Sequence, residues 1–508
     1  MKKKIIYLSF IIVLVISLIT LSCIYKSKDN KYNKEYNTIS KGMAIMIKEE
    51  GATDYVKSNS KDIPKGNYVL NRDKSYCKNN GKIGNYDSSL GKISFSFIGT
   101  DSCYLYFDYK KETIKLGNAE LVVNGGTPDF SKVATTNEGL FKADDDYTAT
   151  TGMKSYYFRG AVDNNWVKFG KDSTGKDIYW RIIRINGDGS IRMIYSGTTA
   201  PTESTKVVMT GTGTQIGTSK FNSSTDKAEY VGYMYTSGQQ YGTSTDSTIK
   251  TTIDNWYAGT TLKDNPLVSK DQIFCNDRSP SSTQTAAWTS TGWYSYGAYG
   301  RLVSNKTPTL KCPTASDKFT VNVSKGNGSL TYPVGLITAD EIAMAGGVDG
   351  SSNSSYYLYT NQNYWSGPSY FNGSTTSAFE FYVGFSGGIN SYIVYSNYGA
   401  RPVISLSSEA KLTGDGTWNN VFEVEQKGYE TILANNTVNE TTPDFSTVTT
   451  ASEKGLYAAD DDYTATTGMK SYYFRGAVDN NWVKFGKDST GKDIYWRIIR
   501  INGDGSIR

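Results

Sequence analysis

Apolar and polar residues alternate along much of this chain, in short runs set off by turn residues, and that period of two predicts strands. The first runs are Gly66–Leu70, Lys92–Phe97 and Cys103–Phe107, with a turn at Asn79-Asn80-Gly81. Further on come Ser155–Arg159 and Asn165–Phe169, the latter after the tight-turn pair Asp163-Asn164. The clearest local signal is Asp177–Ile185, then Asn186-Gly187-Asp188-Gly189, then Ser190–Tyr195, two β-branched and aromatic runs flanking hairpin-turn chemistry. Four more aromatic runs predict a closing sheet: Tyr356–Tyr359, Phe379–Val383, Ser391–Tyr395 and Arg401–Leu406.

Two stretches carry the helical period instead. Ile249, Ile253, Trp256 and Tyr257 fall at i, i+4, i+7 and i+8, predicting a helix over Thr248–Tyr257 with Ser247 as N-cap. Thr338-Ala339-Asp340-Glu341 is a capping box after the strand-like Val334–Ile337, and Gly346-Gly347 ends that second, short helix. A third short helix is expected at Met43–Lys48. The class is therefore α+β and β-rich.

Ala143–Arg192 recurs without a change as Ala459–Arg508, and Thr127-Pro128-Asp129-Phe130 recurs as Thr442-Pro443-Asp444-Phe445. The repeat of about 315 residues is domain-sized. The expected organisation is a membrane anchor at 1–25, a polar spacer at 26–41 and a small β adaptor at 42–116. A full module at 127–424, a linker at 425–441 and a truncated second copy at 442–508 complete it.

Three lysines precede an uncharged, mostly apolar run, Ile5–Tyr25, which as a helix would reach roughly 31 Å and span a bilayer. The lysines place the N-terminus in the cytoplasm and the bulk of the chain outside, at the cell membrane. Thr20-Leu21-Ser22-Cys23 resembles a bacterial lipobox apart from its first position, so lipidation at Cys23 is the alternative to an uncleaved anchor. The other cysteines pair locally, Cys77 with Cys103 and Cys275 with Cys312, and an even count outside the cytoplasm predicts two disulfides.

There is no histidine, which removes Ser-His-Asp and Cys-His nucleophile systems, His-ligated zinc and His general bases. Lys plus Arg number 54 against 49 for Asp plus Glu, without a basic block beyond the first residues, so no nucleic-acid partner is expected. No cofactor is expected either. Asp144-Asp145-Asp146, repeated at Asp460–Asp462, could offer oxygens to Ca²⁺, although such a run more often is a solvated turn. Asp340 and Glu341 are explained by the helix cap rather than as an acid pair, and Arg401 as a guanidinium binding backbone carbonyls.

The order of elements, with Leu336–Glu341, Tyr364-Trp365-Ser366-Gly367 and Gly399–Leu406, resembles bacterial C-type-lectin-like modules, in particular the branch related to formylglycine-generating enzymes. That resemblance implies a lectin-fold module of two short helices, hairpins and a closing small sheet. The oxidising members use a cysteine pair in the closing region, whereas Cys312 is the last cysteine here, so that activity is not expected. Calcium-lectin triplets such as Glu-Pro-Asn are missing too. The closing segment also resembles the variable regions of retroelement-diversified surface proteins.

From Asn361 to Tyr398, 27 of 38 residues are Tyr, Asn, Ser, Phe or Gly, a mixture that supplies rigid amphipathic contact area and adaptable hydrogen bonds. The expected function is adhesion: a glycan or protein ligand bound through Tyr364, Trp365, Tyr370, Tyr382, Asn390, Tyr392, Tyr395 and Tyr398, without catalysis. Tandem modules would add avidity. The alternative is a structural wall spacer with no specific ligand.

Overall fold

A computed structural model describes residues 34–36, 38–39, 42–96, 101–367, 370–372, 376–425, 428–439 and 441–508. The chain is β-rich with short helices, as the alternation predicts. Among the described residues no helix is long and apolar enough to cross a membrane, and both Ile5–Tyr25 and Cys23 lie outside them.

The small N-terminal unit packs Ile45, Ile93, Phe95, Leu105 and Phe107 into one core. Its central strand, Cys103–Tyr109, runs parallel to Ala44–Lys48, where a helix was expected. A six-residue apolar run fits either period, and here pairing on both sides, to Cys103–Tyr109 and to Val56–Lys57, satisfies the backbone as a strand. The edge strand Tyr76–Cys77 sets Cys77 in register with Cys103, and the two form a disulfide across the strands. Cys275 and Cys312 form the second. Glu112–Leu116 turns back on Ala119–Val123, which runs parallel to Asn137–Ala143, so this hairpin belongs to the large sheet of the following module.

That module is built on two sheets around one core. The ten-stranded sheet contains Ser155–Gly160, Trp166–Lys171, Asp177–Ile185 and Ile191–Gly197, and takes in Val403–Leu406 beside Ile191–Gly197. A seven-stranded sheet holds Tyr364–Trp365, Ser377–Val383, Ile389–Ile393 and Tyr398–Gly399. Both predicted helices form. Thr248–Ala258 is capped by Ser247 Oγ and buries Ile249, Ile253 and Tyr257, while Trp256 lies edge-on to Trp180 and Tyr195. Ala339–Ala345 carries the reciprocal capping box of Thr338 and Glu341 and ends at Gly346.

Two strand expectations differ from the structure. Tyr356–Tyr359 is a largely buried turn, with Tyr359 N–H donating to Tyr356 O and Tyr357 N–H donating to Gly160 O at the end of Ser155–Gly160. The strand expected at Ser391–Tyr395 starts two residues earlier, at Ile389, because the Gly387-Gly388 turn returns the chain directly into register with Val383.

The module is held by buried guanidinium groups. Glu341 accepts from Arg184 Nε at 3.0 Å and pairs with Arg192 Nε at 2.6 Å, and its second oxygen takes the Thr338 N–H. Burial pushes the Glu341 carboxyl up, but the Arg192 and Arg184 charges outweigh it and hold the group below its ordinary range. Arg184 also meets Asp145, whose oxygens take the N–H groups of Tyr147, Thr148 and Gly187. The middle acid of the Asp144–Asp146 run is thus an internal staple rather than part of a solvated turn. Arg401 donates to Tyr195 O and Leu358 O and lies over the Tyr364 ring, joining both sheets.

The duplicated segment is an internal control on what makes this core. Trp166, Phe169 and Trp180 are 0, 7 and 0% exposed, whereas their counterparts Trp482, Phe485 and Trp496 are 58, 75 and 54% exposed. The sequences are identical, so the difference lies in what packs against them. In the first copy Trp166 Nε1 donates to Lys206 O, and Arg181 to Lys206 O and Val207 O, contacts supplied by the chain that follows. In the second copy the staple of Asp461 with Tyr463 and Gly503 forms, but Arg500, which corresponds to Arg184, leaves Nε without a hydrogen-bond partner.

In the 508-residue chain, Trp166→Ala is expected to cost about 3–5 kcal/mol and Trp482→Ala less than about 1 kcal/mol. Urea midpoints check this; equal losses would contradict the assignment of the core. Glu341→Gln strands two buried guanidinium groups and is expected to cost about 3–5 kcal/mol, read from the same titrations.

Candidate functional site

The seven-stranded sheet gathers the tyrosines. Trp365 stands opposite Tyr382, Tyr382 opposite Asn390, and Glu380 opposite Tyr392. Because side chains alternate along a strand, Glu380 and Tyr382 share one face with Trp365, Asn390 and Tyr392. Tyr398 completes the cluster: its ring centroid is 4.6 Å from Tyr382, 6.0 Å from Tyr392 and 4.7 Å from Trp365. The rings meet at tilted or edge-on angles, which suit their quadrupoles.

Trp365 is the floor of this face, fully buried, with Nε1 donating to Ser219 O and its ring edge-on to Phe221. Tyr392 and Tyr395 are about half exposed, at 48 and 51%. Tyr395 follows the strand Ile389–Ile393 in the turn that leads to Tyr398. Lys220 Nζ lies 3.4 Å from the Tyr395 ring centroid, and its charge and hydrogen bond hold that phenol below its ordinary value. Burial pushes the Tyr382 and Tyr398 phenols up.

Of the eight residues expected from sequence, Tyr382, Tyr392 and Tyr398 converge, and Asn390 and Tyr395 border them. Tyr364 and Trp365 are core: Tyr364 is fully buried, with its hydroxyl donating to Leu358 O. Tyr370 stands opposite Phe379, on the other face, stacked at 5.1 Å on that ring and 4.9 Å from Tyr299. Two surface residues escape a sequence reading. Phe385 is 66% exposed at the tip of the turn between Ser377–Val383 and Ile389–Ile393, with its N–H held by Asn363 Oδ1. The signal was present, an aromatic inside Gly384-Phe385-Ser386-Gly387-Gly388. Lys220 had none, because it is remote in sequence.

Glu380 is the third omission. It is fully buried and neither carboxylate oxygen has a hydrogen-bond partner. Opposite it, a Cβ on Gly367 would meet only Glu380 Oε1 within 4 Å, at 3.8 Å. Burial drives its pKa well above the ordinary carboxyl value, against a smaller opposing pull from Arg278.

The polar residues elsewhere in the module are structural. A small charged cavity of about 20 Å³ is lined by Arg184, Arg192, Arg301, Asp277, Asp340 and Glu341, among others. Arg301 bridges Asp277 and Asp340 there at 2.6 and 2.8 Å. Among the described residues one grouping, Cys77, Asp101 and Cys103, brings three metal-ligand types together, and its sulfurs are already joined. Comparison of the chain with protein-family models, with curated proteins and with solved structures finds no match.

Glu380 generates a pH dependence of known sign. Its folded pKa lies above its unfolded value near 4.5, so the folded state holds a proton that the unfolded chain has released. The stability it contributes is complete below that unfolded value and is lost as pH rises toward the folded one. Glu380→Gln is therefore expected to leave the melting temperature unchanged relative to wild type near pH 4 and to raise it at pH 8. A constant difference across pH would show that folding does not raise the pKa of Glu380.

Proposed function

We propose that this is a cell-surface adhesion protein whose lectin-like module binds a glycan through the face formed by Tyr382, Tyr392, Tyr395 and Tyr398. The observation that carries this reading is the convergence of the Tyr382, Tyr392 and Tyr398 rings over one buried tryptophan, with Tyr392 and Tyr395 about half exposed and Phe385 exposed. Rings held in place by packing present flat apolar area at little entropic cost, and phenol and amide groups at the rim offer hydrogen bonds to hydroxyls. Sugar rings present those same two surfaces, a C–H face and a hydroxyl edge. Nothing in the arrangement requires catalysis. The duplicated segment supports an array in which weak sites act together. The anchor at Ile5–Tyr25, or a lipid on Cys23, would hold that array outside the membrane.

Tyr392→Ala combined with Tyr395→Ala removes the most exposed rings without opening the core. On a glycan array the double variant is expected to lose at least about tenfold in signal relative to wild type, with a melting temperature within a few degrees. Undiminished binding by the double variant would place the ligand elsewhere. If neither protein bound, the wall-spacer reading, in which the repeats set length alone, would take precedence.

A further inference from the structure

The charge on the tyrosine face is unusual for its simplicity. Among the described strands of the seven-stranded sheet, Glu380 is the one residue with an acidic or basic side chain other than a phenol. It lies beneath the surface, opposite Tyr392. At the rim stands Lys220, fixed by its neighbours: Ser219 pairs with Tyr398, and the N–H groups of Phe221 and Asn222 both donate to Val394 O. These bonds hold Lys220 against Tyr395, the ring with which it makes its close contact. Among the described residues no carboxylate lies within ion-pairing distance of its ammonium group.

We propose that the glycan taken by the tyrosine face is anionic, carrying a carboxylate or sulfate on its sugar ring, and that Lys220 is the residue that selects it. The inference rests on the tyrosine-face reading and adds the ligand's chemical class. An ammonium stacked on a ring keeps its outer hydration side open, so an acidic group can pair with it while the sugar lies on the neighbouring tyrosines. Among the described strands of the sheet the one carboxyl, Glu380, is buried beneath the face, and burial drives its pKa well above the ordinary carboxyl value, which disfavours a negative charge there. The hydrogen bond and then the charge of Lys220 draw the Tyr395 phenol below its ordinary value, which marks how closely the ammonium group is held to that ring. A surface ion pair of this kind is worth on the order of 1 kcal/mol, about a factor of ten or less in affinity, and is screened by salt.

The test uses the full chain on an array of shared oligosaccharide cores in neutral, carboxylated and sulfated forms, at low and at physiological salt. Wild type is expected to favour the acidic forms by about 5- to 10-fold at low salt, and Lys220→Gln to bring that ratio to near one while Lys220→Arg keeps it. The carboxylated and sulfated arms identify which anion is preferred. Equal binding of neutral and acidic forms, or a preference that survives Lys220→Gln, would overturn this inference and leave the tyrosine face standing. No binding to any form would overturn both.

Discussion

The pairing of Glu341 with Arg184 and Arg192 is the constraint on which the module turns. Both arginines sit on the hairpin that the chain repeats, and the carboxylate sits in the first turn of the Ala339–Ala345 helix, about 150 residues later. Removing these charges from water costs several kcal/mol per ion, so the arrangement persists only because each group finds partners. The same helix carries the constraint onward. Its Ala339 N–H donates to Gly367 O, and the Gly367 N–H donates to Ile337 O. Gly367 is two residues from Trp365, the floor of the tyrosine face. A buried charge cluster in one sheet is thereby linked, through one short helix, to the surface of the other.

The second copy shows the same dependence from the opposite direction. Its Asp461 repeats the staple of Asp145, whose partners Tyr463 and Gly503 lie within the repeated segment itself, and its strands Trp482–Lys487 and Asp493–Arg497 pair as their counterparts do. Residues that form the core in one copy, Trp166, Phe169 and Trp180, have counterparts in the other that face solvent. Local sequence suffices for the hairpin, and long-range packing makes the core.

That division explains what could be read from the residues alone. The Asn186–Gly189 turn, the Ser247 cap and the Thr338–Glu341 box each act through bonds spanning a few residues, and all three form. Met43–Lys48 and Tyr356–Tyr359 depend on distant partners, the first on Cys103–Tyr109 and the second on Gly160, and their local patterns were ambiguous. The site divides in the same way. Tyrosine enrichment between Asn361 and Tyr398 pointed to the right segment, but composition does not say which rings face out, and Tyr364 and Trp365 proved to be floor. Lys220 joins the face only because Ser219 pairs with Tyr398. The raised pKa of Glu380 follows from burial in the folded module, which no spacing rule reports.

The central claim, that the face of Tyr382, Tyr392, Tyr395 and Tyr398 binds the ligand, is tested most directly by residue-resolved hydroxyl-radical footprinting of the full chain, read at the exposed Tyr392 and Tyr395 and at the turn residue Phe385, with and without a glycan retained on the array. The account expects protection at these three residues on binding, with Trp293, itself half exposed, unchanged. An open cleft of about 480 Å³ beside the ten-stranded sheet is lined by Tyr179 and Trp418, among others. Protection there, with the tyrosine face still reactive, would contradict the account.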